Sequence, residues 1–343
     1  MRYPIIYCTL DSLQCQMEPN ERSNDDEYAI WNEKDWCNVP RVSSMTAVGL
    51  DLGGSKIEAQ IFDADWALTD KRRVDTPKTY HELLNAIGDL VSWSNADQAN
   101  LPIGIGAAGV LSADGRALTA NLPATNHRIV HDIHAQIDDN IVFINDGRAF
   151  ALSEAVFGAG CGHDMMLGLI LGTGVGAGMT WRGELIGEPH SIAGEIGHVA
   201  APLSVCKDLP SIECGCGRCA CYEAYASGPG LSRLALHYSG ETLSPMDIAG
   251  QKSEKKSVQM AWEKWCEVVA EMIITSSFYI APNVVVLGGG LSKIDGVIDD
   301  LAIAVDQRAL ANVNRPKIVL AEAGDASGAR GAAYAAYLKG RVG

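Results

Sequence analysis

The chain has 343 residues, 47% of them apolar and 20% charged, enough for two ordinary domains with a core each. Its net charge of −15 argues against nucleic acid and anionic membrane as partners, since both recruit positive charge, while leaving room for a local anion site. No stretch approaches roughly 18 uninterrupted apolar residues, so no membrane helix is expected; ten cysteines in a chain this long point to metal binding in a reducing compartment, here taken as the cytoplasm.

Residues 1–44 are polar and acid-rich, without sustained periodicity and without the basic-then-apolar run of a signal peptide. Met45 stands directly before the core-strand pattern Thr46–Asp51. Met45 is therefore the expected natural start, and residues 1–44 an extension that is disordered or not native. Strands over Val48–Leu52 and Lys56–Asp63 are joined by a tight Gly53-Gly54-Ser55 turn. Apolar residues at helical spacing predict a helix over Thr79–Trp93. Strands follow over Ile103–Gly109 and Ile141–Asp146, then a helix over Gly147–Phe157. Leu167–Leu171, the turn Gly172-Thr173-Gly174 and Gly176–Trp181 repeat the opening strand–glycine turn–strand unit. A long helix over Ser257–Ile280, a buried strand Val284–Leu287 running into Gly288-Gly289-Gly290, a strand Lys317–Ala321 and a helix Asp325–Leu338 complete the chain. Two similar α/β halves suggest a duplicated, two-lobed fold with the ligand site in the cleft between them.

Four cysteines, Cys214, Cys216, Cys219 and Cys221, follow the run Gly194-Glu195-Ile196-Gly197-His198. His198, Cys214, Cys216 and Cys221 make a closed four-ligand set for a structural zinc, with Cys219 spare or able to replace one of the others. The bland alternative is a set of reduced core thiols; a Lewis-acid zinc would need an open position. The two glycine turns place backbone N–H groups where phosphate oxygens can approach. Neither has Walker A spacing, and neither is a dinucleotide fingerprint, because a strand rather than a helix follows. Asp146, ending an apolar strand, is either a helix cap or a general base beside a sugar hydroxyl, with Asn145 positioning the same hydroxyl. Glu195 and Glu223 bracket the cysteine cluster, and carboxylates suit vicinal hydroxyls. His198 can bind metal through one ring nitrogen and face the ligand with the other.

Together these stretches resemble the ROK family (repressor, open reading frame, kinase) of sugar kinases. The matching runs are LDLGGSK at Leu50–Lys56, FINDGRAFALSEA at Phe143–Ala155, LILGTGVGAG at Leu169–Gly178, AGEIGH at Ala193–His198, CGCGRCACYEAYASGPG at Cys214–Gly230, VVVLGGGLS at Val284–Ser292 and GDASGARGAA at Gly324–Ala333. The resemblance implies the α/β, two-lobed actin-like (ribonuclease H-type) ATPase fold of duplicated βββαβα units. An N-terminal lobe would span 45–144 plus 327–343, and a zinc-bearing C-terminal lobe 145–326. It implies Asp146 as catalytic base and Gly109, Asn121, Asn145, Glu195, His198 and Glu223 as sugar contacts. Asp51 falls near the magnesium of MgATP. Gly53, Gly54, Ser55, Lys56, Gly172, Thr173, Gly174, Gly176, Gly178 and Gly289 fall around the nucleotide. ATP, Mg2+ and structural Zn2+ are the implied cofactors, and a homodimer the implied assembly.

The chain departs from the family pattern at Ala220, where a glycine is usual before the last zinc cysteine, at the additional Cys219, and at Ala108-Gly109 in place of Pro-Gly. Many ROK glucokinases carry a Trp after the segment matching Asn121-Leu122-Pro123; here Ala124, Thr125 and Asn126 leave room for a 2-acetamido group. With the Cys161–Gly178 and AFALSEA contexts, this is most similar to bacterial N-acetylglucosamine kinases, so the expected reaction is transfer from ATP to the 6-hydroxyl of N-acetyl-D-glucosamine. Fructokinase or glucokinase activity is the alternative within the family. A sugar-sensing ROK repressor is the alternative of another class; it would carry an N-terminal helix-turn-helix, which residues 1–44 do not resemble.

Overall fold

The computed structural model describes residues 47–95, 101–119, 121–189, 191–322 and 327–342; the extension 1–44 and residues 324–326 of the last matching run lie outside them. The first half begins with β1 (Ala47–Leu52), β2 (Lys56–Phe62) and β3 (Leu68–Asp75), followed by α1 (Tyr80–Ser94) and β4 (Ile103–Ala107). A two-residue hairpin, β5 (Val110–Leu111) and β6 (Ala117–Leu118), α2 (Ile129–Gln136) and β7 (Val142–Asn145) complete it. α3 (Asp146–Phe157) leads into β8 (Met165–Leu171), β9 (Val175–Trp181) and the short β10 (Glu184–Leu185). Then come α4 (Leu203–Cys206), α5 (Tyr222–Ala226), α6 (Gly228–Ser239), α7 (Pro245–Gln251) and α8 (Lys256–Ile280), followed by β11 (Val284–Gly288), α9 (Val297–Arg308), β12 (Lys317–Leu320) and α10 (Ser327–Val342).

The two large sheets have the same plan. The first is ordered β3-β2-β1-β4-β7 and the second β10-β9-β8-β11-β12. In each, the first three strands in chain order form an antiparallel meander and the last two add parallel to the meander's first strand. The strand–glycine turn–strand units are thus the equivalent hairpins β1–β2 and β8–β9.

Small residues explain how the sheets are joined. α10 packs on β1 and β4, α3 packs on β8 and β9, and the two helices pack on each other. Gly49 and Gly104 leave no side chain beneath the backbone of Ala329 and Ala332, and Gly331 none beneath Ala149. A Cβ on Gly178 would fall 2.6 Å from the Ala151 Cβ, and one on Gly168 3.0 Å from the Ala151 Cα. The order is therefore sheet, α10, α3, sheet, with backbones in near contact at each step. The outer faces carry ordinary apolar stripes. Leu83, Leu84, Ile87, Leu90 and Val91 of α1 cluster with β1, β2 and β4. Trp262, Trp265, Val269 and Met272 of α8 cluster with Leu167, Leu169, Val285 and Leu287. Thr79 caps α1 by accepting the Glu82 N–H at 3.4 Å.

The meander's third strand, β3, belongs to the βββαβα unit that the family resemblance implies but leaves no mark in the residue pattern: all but Val74 of its residues are exposed and it carries Lys71, Arg72 and Arg73, so it lacks the apolar alternation that marks a half-buried strand. Its charges suit an open sheet edge. Among the described residues no helix is long and apolar enough to cross a membrane.

Candidate active site

β1 delivers Asp51 to the end of the first sheet, directly before the first glycine turn. Gly53 N–H closes that turn on the Lys56 carbonyl at 3.0 Å, and Thr76 buttresses it, its hydroxyl donating to the Gly53 carbonyl at 2.6 Å and its N–H to Ser55 at 3.1 Å. Gly54, Ser55 and Lys56 are exposed. A Cβ on Gly54 would lie 2.6 Å from the Cβ of Asn121, so the segment at Asn121 is seated on this turn. On the other side of Asp51 is the first turn of α10: a Cβ on Gly328 would meet the Asp51 carboxyl carbon at 3.6 Å.

β7 runs straight into α3, and the cap and the acid are separate residues. Asn145 is the N-cap: its Oδ1 accepts from Arg148 N–H at 3.2 Å while its Nδ2 donates to the Gly109 carbonyl at 3.1 Å. Asn145 therefore ties the turn after β4 to the start of α3, with one amide hydrogen left over for a ligand. Gly109 has φ of 122°, a backbone that favours glycine, and the Leu118 carbonyl and Thr119 methyl fill the place of a side chain. Asp146 is thereby released from capping; its carboxylate accepts the Gly147 N–H at 2.8 Å and is also held by its own backbone N–H. Gly147 itself lies on β9, where a Cβ would meet the Ala177 nitrogen at 2.6 Å.

The second sheet brings the other acids. Glu223, in the first turn of α5, reaches the second glycine turn, its Oε2 accepting Val175 N–H at 2.9 Å; a Cβ on Gly174 would come within 2.8 Å of the same oxygen. Its Oε1 is 3.5 Å from Cys214 Sγ and 4.0 Å from His198 Nδ1. Glu195 Oε2 lies 3.8 Å from His198 Nε2. Thus His198 turns Nδ1 to the cysteines and Nε2 to Glu195. Gly172, Thr173 and Gly174 form the turn, Gly176 lies just beyond it in β9, where a Cβ would meet the Gly147 Cα of α3 at 3.7 Å, and Gly289, with φ of 84°, abuts Leu171 at the base of the turn. Gly178 is different: it is buried against Ala151 of α3 and serves packing instead of lining the turn.

Ligand atoms of His198, Cys214, Cys216 and Cys221 all lie within 4.8 Å of one another. Zinc–sulfur bonds of about 2.3 Å and zinc–nitrogen bonds of about 2.0 Å imply tetrahedral edges of about 3.7 Å between sulfurs and about 3.5 Å between sulfur and nitrogen. Cys216 and Cys221 sulfurs are 3.7 Å apart, and Cys214 Sγ is 3.5 Å from His198 Nδ1. The donor set therefore fits a tetrahedral zinc. Cys219 stands outside it and is exposed. Ala220 has a left-handed φ of 57°, which accounts for the glycine usual at that position.

Electrostatics bind the pieces together. Burial, then the neighbouring charge of Asp146, pushes Asp51 up to about 6. Burial, then Asp146 and Glu223, pushes Glu195 up to about 7. Asp146 is itself raised by burial, although part of its side chain stays accessible to solvent. Asp146 thus stands between an acid of the first sheet and an acid beside the Cys/His cluster, where β7 runs into α3. Such a cluster of like charges, accessible yet poorly solvated, is typical of functional sites. A cavity of about 980 Å³ between α8 and α9 contains none of these residues, and its charges are already paired, Lys252 with Asp300 and Arg308 with Glu267.

Two residues here had no place among the expected site residues. Gly147 reads in sequence as an ordinary helix residue. Arg148 is 1% exposed and donates to four backbone carbonyls of the segment preceding Glu195: Pro189 at 3.1 Å, Ala193 at 2.7 Å, Ile186 at 2.9 Å and Gly187 at 2.8 Å. A lone cation opening the apolar run Ala149–Leu152 is the signal that could have marked it.

A profile of the ROK family matches residues 47–338, and the chain belongs to that family. An N-acetylgalactosamine kinase, AgaK, of Shewanella sp. (strain ANA-3) is 36% identical over 293 residues, covering 83% of this chain and 94% of that relative. An N-acetyl-D-glucosamine kinase of Pectobacterium carotovorum subsp. carotovorum (strain PC1) is 36% identical over 295 residues, 83% of this chain and 97% of that one. Among solved structures, a ROK hexokinase from Thermus thermophilus superposes with a TM-score of 0.77 at 27% identity, over 87% of this chain and all (100%) of that one.

Proposed function

We propose that the protein transfers the γ-phosphoryl group of MgATP to the 6-hydroxyl of an N-acetylhexosamine, with N-acetyl-D-glucosamine as the preferred acceptor. The single observation carrying this reading is Asp146: an acid freed from helix capping, raised by burial, and electrostatically coupled both to Asp51 beside the first glycine turn and to Glu195 beside the zinc cluster. The relatives from Shewanella and Pectobacterium supply the substrate class. N-Acetyl-D-galactosamine is the nearest alternative acceptor, because the two relatives are equally similar and differ in the sugar they are named for.

In this reading the lobes divide at 144/145, with α10 returning to the first, and the nucleotide lies between the turns at Gly53–Lys56 and Gly172–Gly176. The backbone N–H groups of those turns hold its phosphates. Magnesium, arriving with ATP beside Asp51, neutralises phosphate charge. Glu195, the Nε2 of His198 and the remaining oxygen and amide hydrogen of Glu223 and Asn145 orient the sugar hydroxyls. Asp146 accepts the proton of the 6-hydroxyl as that oxygen attacks the γ-phosphorus. A zinc held by His198, Cys214, Cys216 and Cys221 would serve structure, fixing the imidazole so that its Nε2 faces Glu195. The reducing compartment suited to these thiols is the cytoplasm, and a homodimer is the assembly we expect.

The test is ADP release with MgATP and N-acetyl-D-glucosamine. We expect turnover that Asp146→Asn removes; near-normal turnover in that variant would take Asp146 out of the role.

A further inference from the structure

Arg148 connects two halves of the site that the fold otherwise leaves to loops. Its guanidinium is buried at the start of α3, two residues after Asp146, and no carboxylate among the described residues lies within ion-pair distance of it. Glu195 and Glu188 act on its charge from further away, and burial lowers it. A buried cation without a contact anion is costly, and here it is compensated by four carbonyls from one short stretch. Asn145 N–H adds a second hold on the same stretch, meeting the Pro189 carbonyl at 3.3 Å. The last of the four carbonyls, Ala193, is two residues before Glu195. Between them, Gly194 has φ of 105° and is pressed on β9, where a Cβ would meet the Ala177 oxygen at 2.5 Å. The geometry leaves little slack between the guanidinium and the Glu195 carboxylate.

We infer that Arg148 is a positioning residue that sets the separation between Asp146 and Glu195 and thereby the affinity for the sugar, without touching it. A planar fork of five donors can hold four carbonyls in one orientation, which a lysine ammonium cannot reproduce. The inference rests on the proposed role of Glu195 in sugar binding. Arg148 does not reach the glycine turns, so the nucleotide should be indifferent to it.

The test uses the full chain, with Arg148→Lys and Arg148→Met, varying N-acetyl-D-glucosamine and MgATP separately and measuring zinc content and thermal midpoint alongside. For Arg148→Met the sugar KM should rise about tenfold or more and kcat fall, with the MgATP KM changed less than about twofold and zinc retained. Arg148→Lys should lie between this variant and the wild type. If Arg148→Met does not fold, Arg148→Lys carries the test alone. Unchanged KM values in a folded variant, or sugar and MgATP KM rising together, would overturn the inference. Turnover of N-acetyl-D-glucosamine by the wild type separates the two levels: its absence sinks the proposed function, whereas wild-type turnover with an unaltered Arg148→Lys sinks only this step.

Discussion

Asp146 and Asp51 are neighbours whose charges oppose each other, and that has consequences for both activity and stability. Replacing Asp146 by Asn keeps the Asn145 cap and the packing of α3, so sugar binding should survive while turnover falls by about 10²–10⁴-fold, the usual worth of a general base; equilibrium binding and single-turnover rates measured together check this. For Asp51, the folded protein raises the carboxyl from 3.8 to about 6. The folded state therefore binds the proton more tightly than the unfolded chain, and the contribution of this group is full below pH 3.8 and lost as pH rises through about 6. Asp51→Asn should accordingly raise the thermal midpoint of the ligand-free protein at pH 8 by more than at pH 5, while weakening MgATP. A midpoint gain that ignores pH would refute the linkage. A third expectation concerns Ala220, which holds φ of 57°: Ala220→Gly should stabilise the protein by about 0.5–1.5 kcal/mol in urea denaturation, since glycine avoids the steric cost of the left-handed region.

At the scale of elements, the Cys/His cluster and the small-residue layers make separable predictions. Cys216→Ser should abolish bound zinc and lower the thermal midpoint, whereas Cys219→Ser should leave both unchanged; elemental analysis of the purified variants distinguishes the ligand set from the bystander. Gly104→Ala would force the α10 backbone off the first sheet and should cost about 1–3 kcal/mol. The repeated strand–glycine turn–strand units, the Asn145-Asp146 junction and the Cys/His cluster were legible because each has a local signature: an apolar run that stops at small or polar residues, or ligands at zinc spacing. β3 was not legible, because an edge strand of charged residues lacks burial periodicity. Gly178 was misplaced with the turn for the opposite reason: its neighbours Gly172, Gly174 and Gly176 repeat with a period of two, and sequence alone does not say where that run leaves the turn and begins to pack on α3. Arg148 could be found only once the fold had brought the carbonyls of Ile186, Gly187, Pro189 and Ala193 to α3, contacts between residues about 40 apart.

For the whole molecule, the family fixes the class of chemistry and leaves the acceptor to the pocket. In the proposed pocket both halves contribute: Asn121 and Gly109 from the first, Glu195, His198 and Glu223 from the second, with Asp146 between them. In the proposed reading the absence of a bulky ring in Asn121–Asn126 leaves room for a 2-acetamido group; Asn121 is seated on Gly54, so a larger residue at this position is expected to disturb the first glycine turn as well. The most direct measurement is ADP release with MgATP against N-acetyl-D-glucosamine, N-acetyl-D-galactosamine, N-acetyl-D-mannosamine, glucose, fructose and mannose. The account predicts the highest kcat/KM for N-acetyl-D-glucosamine, with the plain hexoses well below it. Preference for glucose or fructose would contradict the pocket argument, and no turnover with any sugar in zinc-replete protein would contradict the kinase itself.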